Sequence, residues 1–231
     1  MVFGYDAEKL NVLLVERTCS DDHPSDFDAD WSLTGNHVYE DEAIEEAANR
    51  ILFDLTGFSD IYLEQFKTFA NPNRLLKPKD QQWLKSINRD PAQRVVSIGF
   101  FALLASQNIA LKWMDREVKW VPVKEVGELA FDHNQILEEA LIALRNKMKH
   151  EPIGFELLPE KFTLSQLQNA YEKILDSTFD KRNFRKKTGR MKYVIPLNEK
   201  QKGVPHKPAQ LYMFSREVFE KTNREPFDFI I

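Results

Sequence analysis

The sequence predicts an α+β chain of two units: an α/β or α+β unit, then a helix-turn-helix with a following β-hairpin. Two patterns and a charge split carry this prediction. In residues 1–150, β-branched apolar runs interleave with amphipathic helical patterns. In residues 151–231, two helical patterns lie close together and a strand-loop-strand pattern follows. The charge also changes sign, with 17 Lys+Arg against 25 Asp+Glu in residues 1–150 and 15 against 11 in residues 151–231. A net charge of −4 taken alone argues against nucleic-acid binding. The split removes that argument, because 180–207 holds 10 basic residues and 2 acidic ones. The expected division is therefore 1–150 and 151–231, near Lys149–Gly154, where Pro152 and Gly154 punctuate the end of a helical pattern.

Val2–Tyr5 and Asn11–Arg17 read as strands around the turn-like Asp6–Lys9. Thr18–Asp30, with its five aspartates, reads as a surface loop, and Trp31–Asn36 as a short strand into a Gly turn. Glu42–Leu55 is an amphipathic helix, with Ile44, Ala47, Ala48, Ile51, Leu52 and Leu55 on one stripe and Gly57 placed for a C-cap. The polar stretch Asn71–Ser86 reads as a loop without a role. Arg94–Leu104 and Val118–Val123 are expected strands, and Asn134–Met148 a second long helix.

In the second half, Thr163 and Gln166 form a capping box ahead of an apolar stripe through Leu164, Leu167, Tyr171, Ile174 and Leu175. Asp176–Phe179 is a short connection, and Asp180 caps a second helix over Lys181–Met191. Phe184 turns inward there, leaving Lys181, Arg182, Asn183, Arg185, Lys186, Lys187 and Arg190 for a partner. Cations at a helix N-terminus oppose its dipole, and phosphates or guanine edges would compensate them. Tyr193–Pro196 and Ala209–Phe214 are strands around a polar loop that holds Lys202, His206 and Lys207. This is a winged-helix order, in which the second helix enters the major groove and the wing contacts backbone. Tyr171, Phe184 and Tyr212 read as core residues, and His206 as a phosphate contact or surface residue.

Composition agrees: 42% hydrophobic and 29% charged residues describe a globular chain. No apolar run approaches the ~18 residues a bilayer span needs, so no membrane role is expected. The start does not read as a signal peptide. The one cysteine, Cys19, excludes an intrachain disulfide and any cysteine-cluster zinc site, and it suits a reducing cytoplasm.

The stretch Trp31–Phe58 resembles a Nudix box with its lead-in. Trp31, Leu33 and Gly35 match the family's Trp-x-Leu-Pro-Gly-Gly, while Thr34 replaces the Pro and Asn36 the box Gly. Glu42, Arg50, Gly57 and Phe58 match at the family's spacing. The Arg-Glu-U-x-Glu-Glu core, U being apolar, reads Arg50-Ile51-Leu52-Phe53-Asp54-Leu55. Ile51 and Leu55 thus replace glutamates that bind magnesium in Nudix enzymes, and as i and i+4 they share a helix face. Glu45, Glu46 and Asp54 read as the solvated face. Asn88–Ser97 also resembles a segment of ADP-ribose-type Nudix proteins. The resemblance implies a Nudix fold, an α/β/α sandwich with a mixed sheet, that binds without hydrolysing, with no catalytic residues, no metal and no cofactor.

Phe162–Leu175, Asp180–Arg185, Gly203 and Lys207–Phe214 resemble, in order, the C-terminal domain of the Nudix-related transcriptional regulator family. The two resemblances together cover nearly the whole chain. They imply a ligand-gated repressor, usually a homodimer, on pseudo-palindromic operator DNA. The first half looks most like an arabinose-responsive branch, which implies release of DNA on binding L-arabinose or a related pentose. A regulator of NAD metabolism sensing ADP-ribose, an active Nudix hydrolase, and a protein- or RNA-binding winged helix are the alternatives. Asn36, Arg94, Arg17 and Trp31 are the effector-binding candidates by position.

Overall fold

The computed structural model describes residues 1–17, 30–59, 61–105, 116–205 and 207–222. Cys19, Trp113, His206 and most of the aspartate-rich 18–30 stretch lie outside them. Among the described residues, no helix is long and apolar enough to cross a membrane. The chain divides into two compact units, Met1–Gly4 with Asn11–Ala143, and Tyr5–Leu10 with the residues from Leu144 onward.

The first unit is built on β1 (Val2–Tyr5), β2 (Leu10–Arg17), β3 (Asp30–Leu33), β4 (Leu63–Phe69), β5 (Ser97–Ala105) and β6 (Val118–Pro122). These form one sheet in the order β3-β2-β1-β5-β4, with β6 paired antiparallel to β2. Its helices are α1 (Ile44–Thr56), α2 (Pro78–Ser86) and the part of α3 (His133–His150) up to Ala143. Leu52 and Leu55 of α1 are buried with Val2, Leu13, Val15, Ala102 and Leu104, and Ile51 packs against that cluster. Gly57 closes α1 in the left-handed region (φ 72°), its N–H donating to Phe53 O at 2.7 Å. A non-glycine residue pays for this conformation, which explains the glycine.

The expected loop over Asn71–Ser86 is corrected: Pro78 opens α2 at its first turn and the helix continues to Ser86. Its composition is polar because its one buried acid, Asp80, answers a buried cation. Arg17 is 2% exposed and donates Nη1 to Asp80 Oδ1 at 2.7 Å. Its Nε and Nη2 form a fork on Asp30 at 2.7 and 2.6 Å. Its guanidinium lies between the Trp83 and Phe131 rings, 4.9 and 4.8 Å from their centroids. Asp80 Oδ2 also accepts from Phe131 N at 3.0 Å. Arg74 forks similarly onto Asp132 and reaches Phe69 O. The strand expected from Arg94 begins only at Ser97, after a turn in which Asp90 Oδ1 accepts from Ala92 N at 2.9 Å. Strand β4 was not expected, since of its seven residues only Phe69 is buried.

Beside this network, His133 Nδ1 accepts from Leu33 N at 3.0 Å. Burial, assisted by the Arg74 and Arg17 charges, pushes its pKa down to about 4 against the opposing effect of Asp132.

In the second unit, α4 (Leu164–Leu175) and α5 (Lys181–Thr188) are followed by the antiparallel pair β7 (Val194–Lys200) and β8 (Gln210–Phe214), and then α6 (Arg216–Thr222). Phe162 and Tyr212 exchange backbone hydrogen bonds at 3.0 and 2.7 Å, which fastens the hairpin to the chain entering α4. Phe155 stacks on Phe214 at 4.5 Å, and the Tyr193 ring meets Phe219 edge-on at 5.2 Å. Gly154 sits against the buried Tyr171, where an added Cβ would come within 2.7 Å of the ring. Asn169 Nδ2 donates to Tyr5 OH (3.0 Å) and Ala7 O (2.7 Å), holding the turn in which Ala7 adopts φ 76°.

Removing one partner of a buried pair leaves a charge stranded. Asp80→Ala is therefore expected to cost about 3–5 kcal/mol in urea unfolding. Arg17→Met with Asp80→Leu is expected to recover a substantial part of that, and a loss below about 1 kcal/mol for Asp80→Ala contradicts the assignment. His133 supplies a pH dependence. Between its folded value near 4 and the ordinary 6.5, the unfolded chain binds the extra proton. Its stabilising contribution is complete above pH 6.5 and is lost as pH falls toward 4. From pH 7 to pH 5 the expected loss is about 2 kcal/mol, and it shrinks in His133→Gln. An unchanged slope in that variant refutes the role.

Candidate nucleic-acid interface and effector cleft

The helix-turn-helix is fixed by short-range chemistry. Thr163 Oγ1 accepts from Gln166 N at 3.2 Å and Gln166 Oε1 from Thr163 N at 2.8 Å, a reciprocal capping box that starts α4. The helix stops at Asp176, which is left-handed at φ 52°. Glu172 Oε1 accepts from Phe179 N at 2.8 Å and from Gln168 Nε2 at 2.9 Å, while Gln168 Nε2 also reaches Phe179 O. Asp180 then caps α5 by accepting from Asn183 N at 2.9 Å. Phe184, fully buried, stacks on Phe179 at 6.0 Å and fixes the rotation of α5.

That rotation exposes Lys181, Arg182, Asn183, Arg185 and Lys186, with Lys187 half-buried. Lys181, Arg182, Arg185 and Lys186 make no ion pair among the described residues. The helix was expected to reach Met191 and instead ends at Thr188. Arg190 N donates to Lys187 O and Met191 N to Thr188 O, bonds that tighten the chain into a turn past Gly189. Arg190 is exposed on that turn rather than on α5. The hairpin strand β7 extends to Lys200, so the wing loop is shorter than expected, and Gly203 turns it at φ 71°. Lys202 and Lys207 are exposed there, and His206 lies outside the described residues.

In the first unit, a cleft of about 850 Å³ opens beside α1. Two surviving box residues hold the loop whose His37 and Val38 line it. Arg50 forks onto Glu42 at 2.9 and 2.6 Å, donates to His37 O at 3.0 Å and covers the Tyr39 ring at 4.0 Å. Glu42 also accepts from Tyr39 N at 2.8 Å. The hydrogen bond from Arg50 holds the Glu42 carboxyl below its usual pKa. Together they pin the 37–42 loop to α1.

The magnesium chemistry of the Nudix box does not fit these residues. Leu55 is in the core, Ile51 packs against it, and Asp54 is exposed, 3.9 Å from Arg50. Among the described residues, no three His, Cys, Asp or Glu side chains gather as metal ligands.

Of the effector candidates, Asn36, Arg94 and Arg17 line the cleft. Arg17 faces it with its donors committed to Asp30 and Asp80, so its place there is structural. Asn36 Oδ1 accepts from His37 N at 2.8 Å. Trp31 is not among the residues that line the cleft, and its ring lies under Lys119 Nζ at 3.4 Å. Arg89 and Arg116 line the cleft and were not singled out. Arg89 lies inside the Asn88–Ser97 stretch that the resemblance had marked, whereas nothing local distinguishes Arg116.

Comparison with known proteins agrees with this architecture. The NUDIX domain matches residues 1–142, and the NrtR DNA-binding winged helix domain matches residues 154–214. The ADPR (ADP-ribose) responsive transcriptional repressor NtrR of Acinetobacter baylyi is 29% identical over 224 residues, covering 95% of this chain and 81% of that one. The crystal structure of Shewanella oneidensis NrtR complexed with a 27mer DNA superposes with a TM-score of 0.72 at 28% identity, covering 98% of this chain and 94% of that one. A MutT/nudix family protein from Enterococcus faecalis shares the fold, with a TM-score of 0.65 at 24% identity over 93% of this chain and 85% of that one. With a capped, cation-bearing second helix at one end and a Nudix box at the other, the chain belongs to the Nudix-related transcriptional regulators, which join a Nudix domain to an NrtR-type winged helix.

Proposed function

We propose that this chain is an effector-responsive DNA-binding repressor whose Nudix unit senses a ligand instead of hydrolysing it. The observation that carries the reading is α5. Four of its cations stand exposed without carboxylate partners among the described residues, on a helix whose rotation is fixed by a buried phenylalanine. A row of like charges is costly on a short helix, and duplex phosphates compensate it. Arg182, Asn183 and Arg185 are the base-edge or phosphate contacts, Lys181, Lys186, Lys187 and Arg190 flank them, and Lys202, His206 and Lys207 form the wing contacts. The functional division follows at 1–150 for sensing and 151–231 for DNA.

The A. baylyi relative, matched over 95% of this chain, is named for its response to ADPR, which supports ADP-ribose as the effector here. The pentose expectation has no support from any of these relatives, and the ADP-ribose alternative takes its place. Ile51 and Leu55, apolar where the hydrolases carry metal ligands, support binding without turnover. A homodimer places two α5 helices about one DNA turn (~34 Å) or a multiple apart, as a pseudo-palindromic operator requires.

Fluorescence anisotropy with the duplex upstream of the protein's own gene tests this reading. The expected result is binding well above that of a scrambled duplex. Arg182→Glu with Arg185→Glu is expected to weaken it on the order of a hundredfold, with an unchanged melting temperature. Equal affinity for both duplexes, or indifference to the charge reversal, overturns the reading. Magnesium-dependent ADP-ribose hydrolysis near ordinary enzyme rates (about 1 per second or faster) overturns the sensing assignment.

A further inference from the structure

The effector cleft lies in an acidic part of the chain, yet its charged lining is almost wholly cationic. Five of its six charged lining residues are arginines and one, Asp90, is a carboxylate. Two of the five are neutralised inside the unit, Arg17 by Asp30 and Asp80 and Arg74 by Asp132. The other three, Arg89, Arg94 and Arg116, make no ion pair among the described residues. Arg89 and Arg94 are exposed and Arg116 is half-buried.

Their placement is supported by the backbone. Arg89 N donates to Leu84 O at 2.8 Å, which ties the start of the 88–96 segment to the end of α2. The Asp90 turn carries the chain on to Arg94, with Asp90 Oδ1 accepting from the Ala92 N–H. Arg116 comes from a distant part of the sequence, immediately before β6. Three unpaired guanidinium groups lining one cleft concentrate positive charge there, which a doubly charged anion compensates. The planar fork of arginine suits phosphate oxygens in particular. The same cleft offers exposed apolar surface at Val95 (38%) and Val96 (53%), of the kind a nucleoside ring covers.

We infer that Arg89, Arg94 and Arg116 form a metal-free subsite for the diphosphate of a nucleoside diphosphate ligand. They would supply the positive charge that a divalent cation supplies in the hydrolases. The inference rests on the effector reading above and adds the residues and the metal independence.

Isothermal titration of the full chain in EDTA tests it, with ADP-ribose, inorganic pyrophosphate, adenosine and L-arabinose as probes. The expected result is ADP-ribose binding without metal and competition by pyrophosphate. Arg94→Gln and Arg116→Gln are each expected to weaken ADP-ribose at least tenfold without changing the melting temperature of the unliganded protein. If ADP-ribose binds but ignores pyrophosphate and both substitutions, or binds only with magnesium, the subsite is overturned and the effector reading stands. If ADP-ribose does not bind and L-arabinose does, the effector reading itself fails.

Discussion

The sensor unit is organised around one guanidinium, that of Arg17. From the end of β2 it grips Asp30 on β3 and Asp80 on α2, while Trp83 and Phe131 cover its faces. Asp80 passes the constraint on to Phe131 N, just ahead of α3. A buried ion pair of this kind adds little net stability over an apolar replacement, because desolvation offsets the attraction. Its effect here is positional. It fixes α2, and α2 is tied through Leu84 to the segment that brings Arg89 and Arg94 to the cleft. The lead-in to the box follows directly from β3, so the two walls of the cleft refer to the same charge.

The parts of the fold that were legible in the sequence rest on interactions a few residues apart. The capping box of Thr163 and Gln166, the Asp180 cap and the inward Phe184 are local, and each appears as read. What escaped depends on partners far along the chain. Asp80 answers an arginine 63 residues earlier, so α2 looked like a polar loop. Strand β4 buries only Phe69 and shows no apolar alternation. The site divided in the same way. The cations of α5 cluster in sequence, so neighbouring residues suffice to single them out. Arg116 reaches the cleft only through the topology, and Trp31, placed by position alone, faces Lys119 instead.

The Nudix box keeps its scaffold residues while two of its ligand positions are apolar. Glu42 and Arg50 keep the structural task of holding the loop against α1. Ile51 and Leu55 turn the former ligand face into core packing. This exchange favours a sensor, since apolar contacts hold the helix without the repulsion that clustered carboxylates need a metal to quench. The charge balance follows the same division of labour. Net −4 is the sum of an acidic half that holds the Nudix domain and a basic half that holds the winged helix.

In the proposed repressor, one ligand site and one DNA site share a coupling free energy. Linkage then requires that whatever factor ADP-ribose takes from operator affinity, the operator takes from ADP-ribose affinity. The direct measurement is operator affinity across an ADP-ribose titration at fixed salt, paired with ADP-ribose affinity measured with and without operator duplex. The account predicts that both affinities fall by the same factor, on the order of tenfold or more. Operator affinity that stays constant under saturating ADP-ribose would contradict it.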